Sequence, residues 1–302
     1  MGMEQLCGLF GLTRQAWYAT TRRQEKLGFQ AAIDLAEVRR LRKQVAGLGT
    51  TKLYELMQGF LTSHQIKLGR DRLHNLLKDN GLLLTKKRSR IKTTDSDHDL
   101  EKYPNQVKEL KPARVGQLWV SDLSYIRVGI GFAYLSVIMD AYSRKIVGWS
   151  FHKTLEAKGP VAALEMALQM RGQVDQPLIH HSDRGVQYCS GAYVDRLRQA
   201  TITISMTESG DPNENALAER VFRTLKEDFH LWGFPSFGLA ETAIEQAIGA
   251  YNSVRPHASL GYKTPNQAHQ DQGHQPLKWY PYKKVRFGNV QYQADNQFCS
   301  SL

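Results

Sequence analysis

The sequence predicts a mixed α/β protein: a mixed sheet flanked by helices, preceded by small all-α helix-turn-helix domains. Three observations carry this. Up to residue 84 the apolar residues recur at helical spacing, and the runs are punctuated by Gly47, Gly49, Gly69 and Asn80-Gly81. From residue 117 the texture changes to three alternating runs rich in Trp, Val, Ile and Tyr, joined by short turns. Helical and short apolar runs then alternate, so the order after residue 114 reads βββαβαβαα.

The helical part begins with Glu4–Phe10, broken by Gly11, and continues with Arg14–Arg23, for which Thr13 is the expected cap. These form a first short helix-turn-helix, residues 1–30. Residues 31–85 repeat the theme with helices Ala31–Val45, Thr50–Phe60 and Arg70–Asp79, and Ile66 and Leu68 form a small strand or turn. In the last helix Leu73, Leu76 and Leu77 make the apolar stripe, leaving Arg70, Arg72, His74 and Lys78 outside it. That suits a helix lying in a major groove, and it also suits a bundle with solvated charges. Residues 86–113 are a basic and polar linker. Its first part, with Lys86, Lys87 and Arg88, either tracks phosphates or is a solvated tether.

In the second part, strands are expected at Gln117–Val128, Phe132–Asp140, Lys145–Phe151, Pro177–His181 and Thr201–Met206. Helices are expected at Glu156–Met170, Gly191–Gln199, Asn213–Phe229 and Leu239–Asn252. This defines a core over residues 114–270. A tail over 271–302 follows, in which Pro276–Tyr292 mixes aromatic and basic residues and either lies on DNA or packs on protein. Gly185 and Gly210 are expected in turns with positive φ.

Charge is unevenly spread. Of the net +11, residues 1–113 hold 21 Lys/Arg against 12 Asp/Glu, whereas residues 114–302 hold 19 against 17. A basic first third points to a polyanion, most often nucleic acid. The three cysteines Cys7, Cys189 and Cys299 are far apart and odd in number, which suggests neither a disulfide framework nor a zinc cluster. No run of apolar residues is long enough to span a membrane, and the start of the chain lacks a secretory pattern. The expected location is the cytoplasm.

Three carboxylates stand out. Asp122 lies mid-strand in LWVSDLSYI, where burial costs several kcal/mol unless the charge is paired or bound to a cation. Asp183 ends a short apolar strand in HHSDRGVQY. Glu219 lies in the helix NENALAERVFRTLKED. At 100° per residue, Asn215, Arg223 and Lys226 fall within about 40° of Glu219, with Leu217, Val221, Phe222, Leu225 and Phe229 on the other side. A solvated amphipathic helix has the same look.

The spacing adds to this. Sixty residues separate Asp122 from Asp183, and 35 separate Asp183 from Glu219. With WVSDLSY, HSDRGVQY, GDPNENALAERVFRTLK and YNSVRPHASLGYKTP in this order, residues 114–268 resemble a DDE transposase of the IS-three insertion-sequence family, the product of its B frame. The core is also similar to that of retroviral integrases, although the His-His-Cys-Cys zinc domain of that branch has no counterpart in the spacing here. Ser121, Ser124 and Glu214 depart from the commonest residues of the pattern; none of them is one of the three acids.

The resemblance implies a ribonuclease-H-like core in which Asp122, Asp183 and Glu219 are catalytic and bind two Mg²⁺ ions, with Mn²⁺ as a substitute. It implies water-driven release of a 3′-OH and its transfer to a second phosphodiester, with no covalent protein–DNA intermediate. The implied partners are double-stranded DNA (terminal inverted repeats and target), a second copy at least, and an upstream helix-turn-helix and zipper protein joined by frameshifting. The implied setting is a bacterial nucleoid. Candidate DNA-contacting residues are Lys226, Arg223, Asn215, His181, Arg184, Gln187, Arg255, His257, Arg70 and Arg72. His181 has the alternative of satisfying a backbone group, and Arg255 and His257, with Tyr251, that of bracing the site. His180 and Trp119 read as structural. The competing function is a ribonuclease-H-type nuclease or resolvase acting on structured nucleic acid.

Overall fold

The structure is a computed structural model that describes residues 3–84, 100–172, 176–208, 212–271 and 273. Lys86, Lys87, Arg88, Gly210 and the stretch Pro276–Tyr292 lie outside the described residues.

The N-terminal part holds α1 (Met3–Leu9), α2 (Arg14–Gln44), α3 (Thr50–Ser63) and α4 (Arg70–Asp79). Thr13 caps α2 as expected, accepting from the Ala16 amide at 3.1 Å. One correction is needed here. The expected separate helices Arg14–Arg23 and Ala31–Val45 are a single helix of 31 residues, so residue 30 falls inside it. The physical reason is that Gln24–Gln30 contains no proline, and its one glycine, Gly28, costs only about 1 kcal/mol in a helix interior. The true stop is at Val45, before Gly47 and Gly49. Val38 and Leu41 of α2, Leu53, Met57 and Leu61 of α3, and Leu73 and Leu77 of α4 build a small core with Val45, Leu48 and Leu68. Ile66 and Leu68 lie in the turn between α3 and α4 rather than in a strand.

The second part is a mixed sheet with helices on both faces. Its strands are β1 (Leu118–Val128), β2 (Gly131–Asp140), β3 (Ile146–His152), β4 (Ile179–Ser182), β5 (Thr203–Met206) and the two-residue β6 (Gly233–Phe234). The order is β3-β2-β1-β4-β5, with β6 also on β1. β1, β2 and β3 are antiparallel neighbours, and β4 and β5 run parallel to β1. The helices are α5 (Lys158–Arg171), α6 (Val186–Cys189), α7 (Gly191–Gln199), α8 (Ala216–Asp228), α9 (Phe237–Ser253) and α10 (Pro265–Ala268). This is the ribonuclease-H-like arrangement, and it matches the order expected from the sequence, with the short α6, β6 and α10 added.

Alternation along β1 separates the two faces. Leu118, Val120 and Ile126 point to one core with α8 and α9, while Trp119 points to the other with α5 and α7. On the second face Gly148 lets α5 lie directly on β3: a Cβ there would stand 2.1 Å from the Ala163 carbonyl oxygen.

The helical part docks on the end of α8. The Gly47 amide donates to the Asp228 carbonyl at 2.9 Å, and Lys52 Nζ reaches Asp228 Oδ2 at 3.2 Å. Phe229, Ala250 and Val254 pack against the N-terminal apolar cluster. Within the linker, residues 100–113 run along the core, where the Gln106 amide donates to Ser205 Oγ and Lys108 pairs with Glu208. Among the described residues no helix is long and apolar enough to cross a membrane.

Candidate active site

Asp122 and Asp183 are brought together by strand register. β4 pairs with β1 through Leu118↔Ile179, Trp119↔His180 and Val120↔His181, and there the ladder ends. Two residues further along both chains are Asp122 and Asp183. Adjacent strands stand about 4.8 Å apart, and positions two apart share a face. Both aspartates therefore follow Val120 and His181 onto the side covered by α8. β1 finds its next partner on that edge only at Arg127, opposite Gly233 of β6. The carboxylates sit where neighbouring parallel strands part, at their carboxyl ends, the usual place for a site in such sheets.

α8 lays Ala218, Val221, Phe222 and Leu225 on the sheet and carries Glu219 in its first turn, exposed. Lys226, two turns on along the same stripe, is half-buried. Asp122 is sunk among protein atoms although part of its surface reaches solvent. Burial, then the charge of Asp183, push its pKa up to about 8, with Glu219 adding to the rise. The Leu123 amide, donating to Oδ1 at 2.7 Å, and the charge of Lys226 oppose this. Burial also raises the pKa of Asp183, against a hydrogen bond from the Gly185 amide to Oδ1 at 3.0 Å. Burial lowers the pKa of Lys226, against the pull of Asp122. Three acids and one lysine thus share one electrostatic field. Among the described residues no three His, Cys, Asp or Glu side chains stand close enough together to hold a metal ion as placed.

Gly185 departs from expectation. Its φ is −62°, an extended conformation that precedes α6, rather than a positive value. Space is the reason for glycine here: a Cβ would stand 3.1 Å from Asp183 Oδ1 and 3.2 Å from Gln187 Oε1.

Two hydrogen bonds fix the start of α8 against the strands. Asn215 Nδ2 donates to the Ser121 carbonyl at 3.0 Å. His181 Nε2 lies 3.0 Å from the Glu214 carbonyl oxygen, and its Nδ1 2.9 Å from Ser205 Oγ. A carbonyl only accepts, so Nε2 carries the proton and Nδ1 accepts from the serine, which itself accepts from the Gln106 amide. Burial lowers the pKa of His181 and keeps this neutral form. His181 thus takes the second of its two expected roles, satisfying a backbone group, and Asn215 binds a strand carbonyl where DNA contact was expected. Both are buried with their polar groups turned into the protein, because each bridges a strand to the turn Pro212–Asn215 that leads into α8.

Arg255 follows the bracing alternative. It is buried, and Nε donates to Asp228 Oδ2 at 2.7 Å. His257 is half-buried, edge-on to Tyr251 at 4.9 Å, and 3.2 Å from Arg255 Nη1 through Nε2. Both brace the end of α8. Gln187, half-buried, donates to the Leu155 carbonyl at 3.0 Å and ties the loop after Asp183 to the segment before α5. Arg184 is half-buried and Arg223 exposed. Arg70 and Arg72 are exposed on α4, outside its buried Leu73 and Leu77. His180 is fully buried with Nε2 2.9 Å from Tyr193 Oη, and Trp119 is core. Sequence reasoning missed Ser205, Tyr193, Lys52 and Asp228, none of which carries a local signal; only the fold brings them to their partners.

Residues 112–212 and 200–265 match the integrase core domain family. The insertion element IS600 31 kDa protein of Shigella sonnei is 32% identical over 265 residues, covering 86% of this chain and 96% of that protein. The chain is a DDE transposase of the insertion-sequence, integrase-core family. Other relatives of this transposase include that of IS629 from Shigella sonnei, 30% identical over 67% of this chain and 68% of the relative. Transposase InsF of IS3A from Escherichia coli K12 is 35% identical over 50% of this chain and 53% of its own length. Among solved structures, the HTLV-2 integrase catalytic core in complex with magnesium aligns with a TM-score of 0.43 at 18% identity, over 53% of this transposase and 100% of that chain.

Proposed function

We propose that this transposase cleaves the ends of its element to free a 3′-OH and transfers that 3′-OH to a second phosphodiester, with Asp122, Asp183 and Glu219 as the catalytic acids. The observation that carries the reading is the convergence of the three acids from two parting strands and a helix, with Asp122 raised by burial and by both other carboxylates. As a donor set these carboxylates suit a hard divalent cation once drawn together around it, because oxygen-only donors favour Mg²⁺ or Mn²⁺ and the positive charge relieves their repulsion. Asp122 and Asp183 would hold one ion, and Asp122 and Glu219 a second. Bound, the ions supply Lewis acidity at the attacking and leaving oxygens.

The protein's own groups do the rest. Asn215 and His181 hold the first turn of α8, and hence Glu219, against the strand that carries Asp122. Gln187 fixes the loop beside Asp183. Lys226 neutralises charge beside Asp122 and reaches a phosphate at the element end, and Arg223 lies on the same outward stripe. Arg70 and Arg72 on α4 contact DNA from the N-terminal helices. Strand transfer needs two ends held at once, so the working form is at least a dimer on DNA, located with the bacterial nucleoid. An upstream partner made by frameshifting supplies further end recognition. The divisions at residues 85, 113 and 270 remain the proposed domain limits.

The test is cleavage and joining of labelled element-end duplex by the native chain and by Glu219→Gln, with Mg²⁺, Mn²⁺ or EDTA. Metal-dependent 3′-OH release and joining, lost in the variant, is the expected result. Equal activity in the variant refutes the site. Metal-dependent cutting of structured nucleic acid that ignores end sequence and never joins would instead favour a ribonuclease-H-type nuclease.

A further inference from the structure

We propose that Lys52 and Arg220, at the seam between the N-terminal helices and the core, form a binding site for a backbone phosphate of DNA; the choice of DNA as the source rests on the function proposed above.

The seam gathers more positive charge than the protein compensates. Asp228 Oδ2 takes Arg255 Nε at 2.7 Å and Lys52 Nζ at 3.2 Å. Arg144 and Arg220 stand close enough that their charges, with those of Arg255 and Lys52, act on His257. A second carboxylate, Asp140, acts by its charge on Arg144; it accepts from the Ser143 amide and hydroxyl and from the Gly116 amide. Among these groups four cations face two carboxylates. Buried or half-buried cations normally find an anion, because an uncompensated one costs several kcal/mol. Arg144 Nη1 is buried with no hydrogen-bond acceptor. Burial, followed by the charge of Arg255, depresses Lys52, and the same two causes hold His257 well below the ordinary imidazole range, as expected where positive charges crowd without an anion.

Placement selects the ligand. Arg220, Thr224 and Asp228 are spaced four apart, so they form one stripe of α8 that faces the seam, next to the stripe of Glu219 and Lys226. Arg220 is exposed and Lys52 keeps 24% of its side-chain surface, so both can be approached from solvent. Lys52 lies on α3, the helix before α4, and in a helix-turn-helix that helix crosses the DNA backbone. A strand crossing α3 at Lys52 and meeting Arg220 arrives beside Glu219. The donors are cationic, which fits a phosphate rather than a base. Arg255 and Asp228 are the fixed floor of the site.

The test uses the full chain and two probes that do not depend on element ends: a random-sequence duplex and inorganic phosphate. Wild type, Lys52→Gln, Arg220→Gln and the double variant are compared. The salt dependence of duplex binding is expected to flatten by about one unit of log–log slope in the single Arg220→Gln variant, which is at an exposed position and leaves the fold intact. Inorganic phosphate is expected to raise the melting temperature of wild type and to do so less in the double variant. An unchanged slope in both single variants overturns the proposal. So does a phosphate stabilisation equal in wild type and double variant. Phosphate stabilisation confined to wild type, with an unchanged duplex slope, overturns DNA as the source. Wild-type failure in metal-dependent joining would count against the proposed reaction, and the duplex and phosphate readouts stand apart from it.

Discussion

Asp122 and Asp183 are placed by strands, Glu219 by a helix, and the two modes of placement have different consequences. A strand acid is fixed by register. Moving it by one residue turns it to the opposite face, and its carboxylate pays the desolvation of a buried sheet edge. A helix acid is fixed by the packing of the opposite face and by whatever anchors the first turn. Glu219 stays exposed, and its position depends on two hydrogen bonds made by neighbours, Asn215 and His181. The strand pair is therefore rigid and electrostatically costly, whereas the helix acid is adjustable and remotely controlled.

The largest effect separates function from stability. Asp122→Asn and Glu219→Gln are each expected to lower joining by at least ~10³-fold, since each removes several kcal/mol of cation-borne stabilisation. Their thermal melts in EDTA should differ: Asp122→Asn melts higher than wild type at neutral pH, because wild type must take up a proton on Asp122 in order to fold there, and Glu219→Gln melts with wild type. Identical melting shifts for both variants would erase the contrast between strand and helix acids.

That contrast was only partly legible in the sequence. The three acids and their spacing could be read directly, as could the strands that deliver two of them, because alternation and apolar runs mark buried strands. The amphipathic stripe of Glu219 and Lys226 was legible for the same reason. Asn215 was misread because a helical wheel extends the helix through it, whereas the regular helix begins at Ala216 after a tighter turn. His181 offered two roles that sequence cannot separate; its partners, Ser205 and the Glu214 carbonyl, lie 24 and 33 residues away in the chain. The two expected helices fuse into α2 because the residues between them hold no proline and their one glycine costs too little to end a helix.

The next effect is Asn215→Ala. Removing the amide releases one anchor of α8, and joining should fall roughly 10- to 100-fold, as for groups that orient metal ligands. A kcat loss with unchanged duplex binding is expected; loss of duplex binding instead would return Asn215 to the DNA-contacting set.

Gly185→Ala probes the strand side. The added Cβ must displace the carboxylate of Asp183 or the amide of Gln187, so joining should drop about 10-fold with little change in melting temperature. Full activity would show that the strand acid is less rigid than its register implies.

A separate effect is in the pH dependence of folding. The pKa of Asp122 is raised in the folded state from 3.8 to about 8. Below the unfolded value both states are protonated and this group changes nothing relative to that baseline. As pH rises from about 4 to about 8, the unfolded chain loses its proton first, so the folded state loses stability across that window; above it the loss is constant. In EDTA the stability gap between Asp122→Asn and wild type should widen from pH 4 to pH 8, measured by urea midpoints. A gap that is flat with pH contradicts the raised value.

The contact of Gly47 with Asp228 has a mechanical consequence. A Cβ on Gly47 would stand 2.4 Å from the Asp228 Cα, so the two backbones touch without any side chain as a cushion. A joint with no compliant layer transmits torque. Twisting the N-terminal helices, as a bent or sliding duplex would do, turns the far end of the same rod that holds Glu219 at its near end. Strain applied at the N-terminal helices can thus be felt at the third acid through one stiff helix.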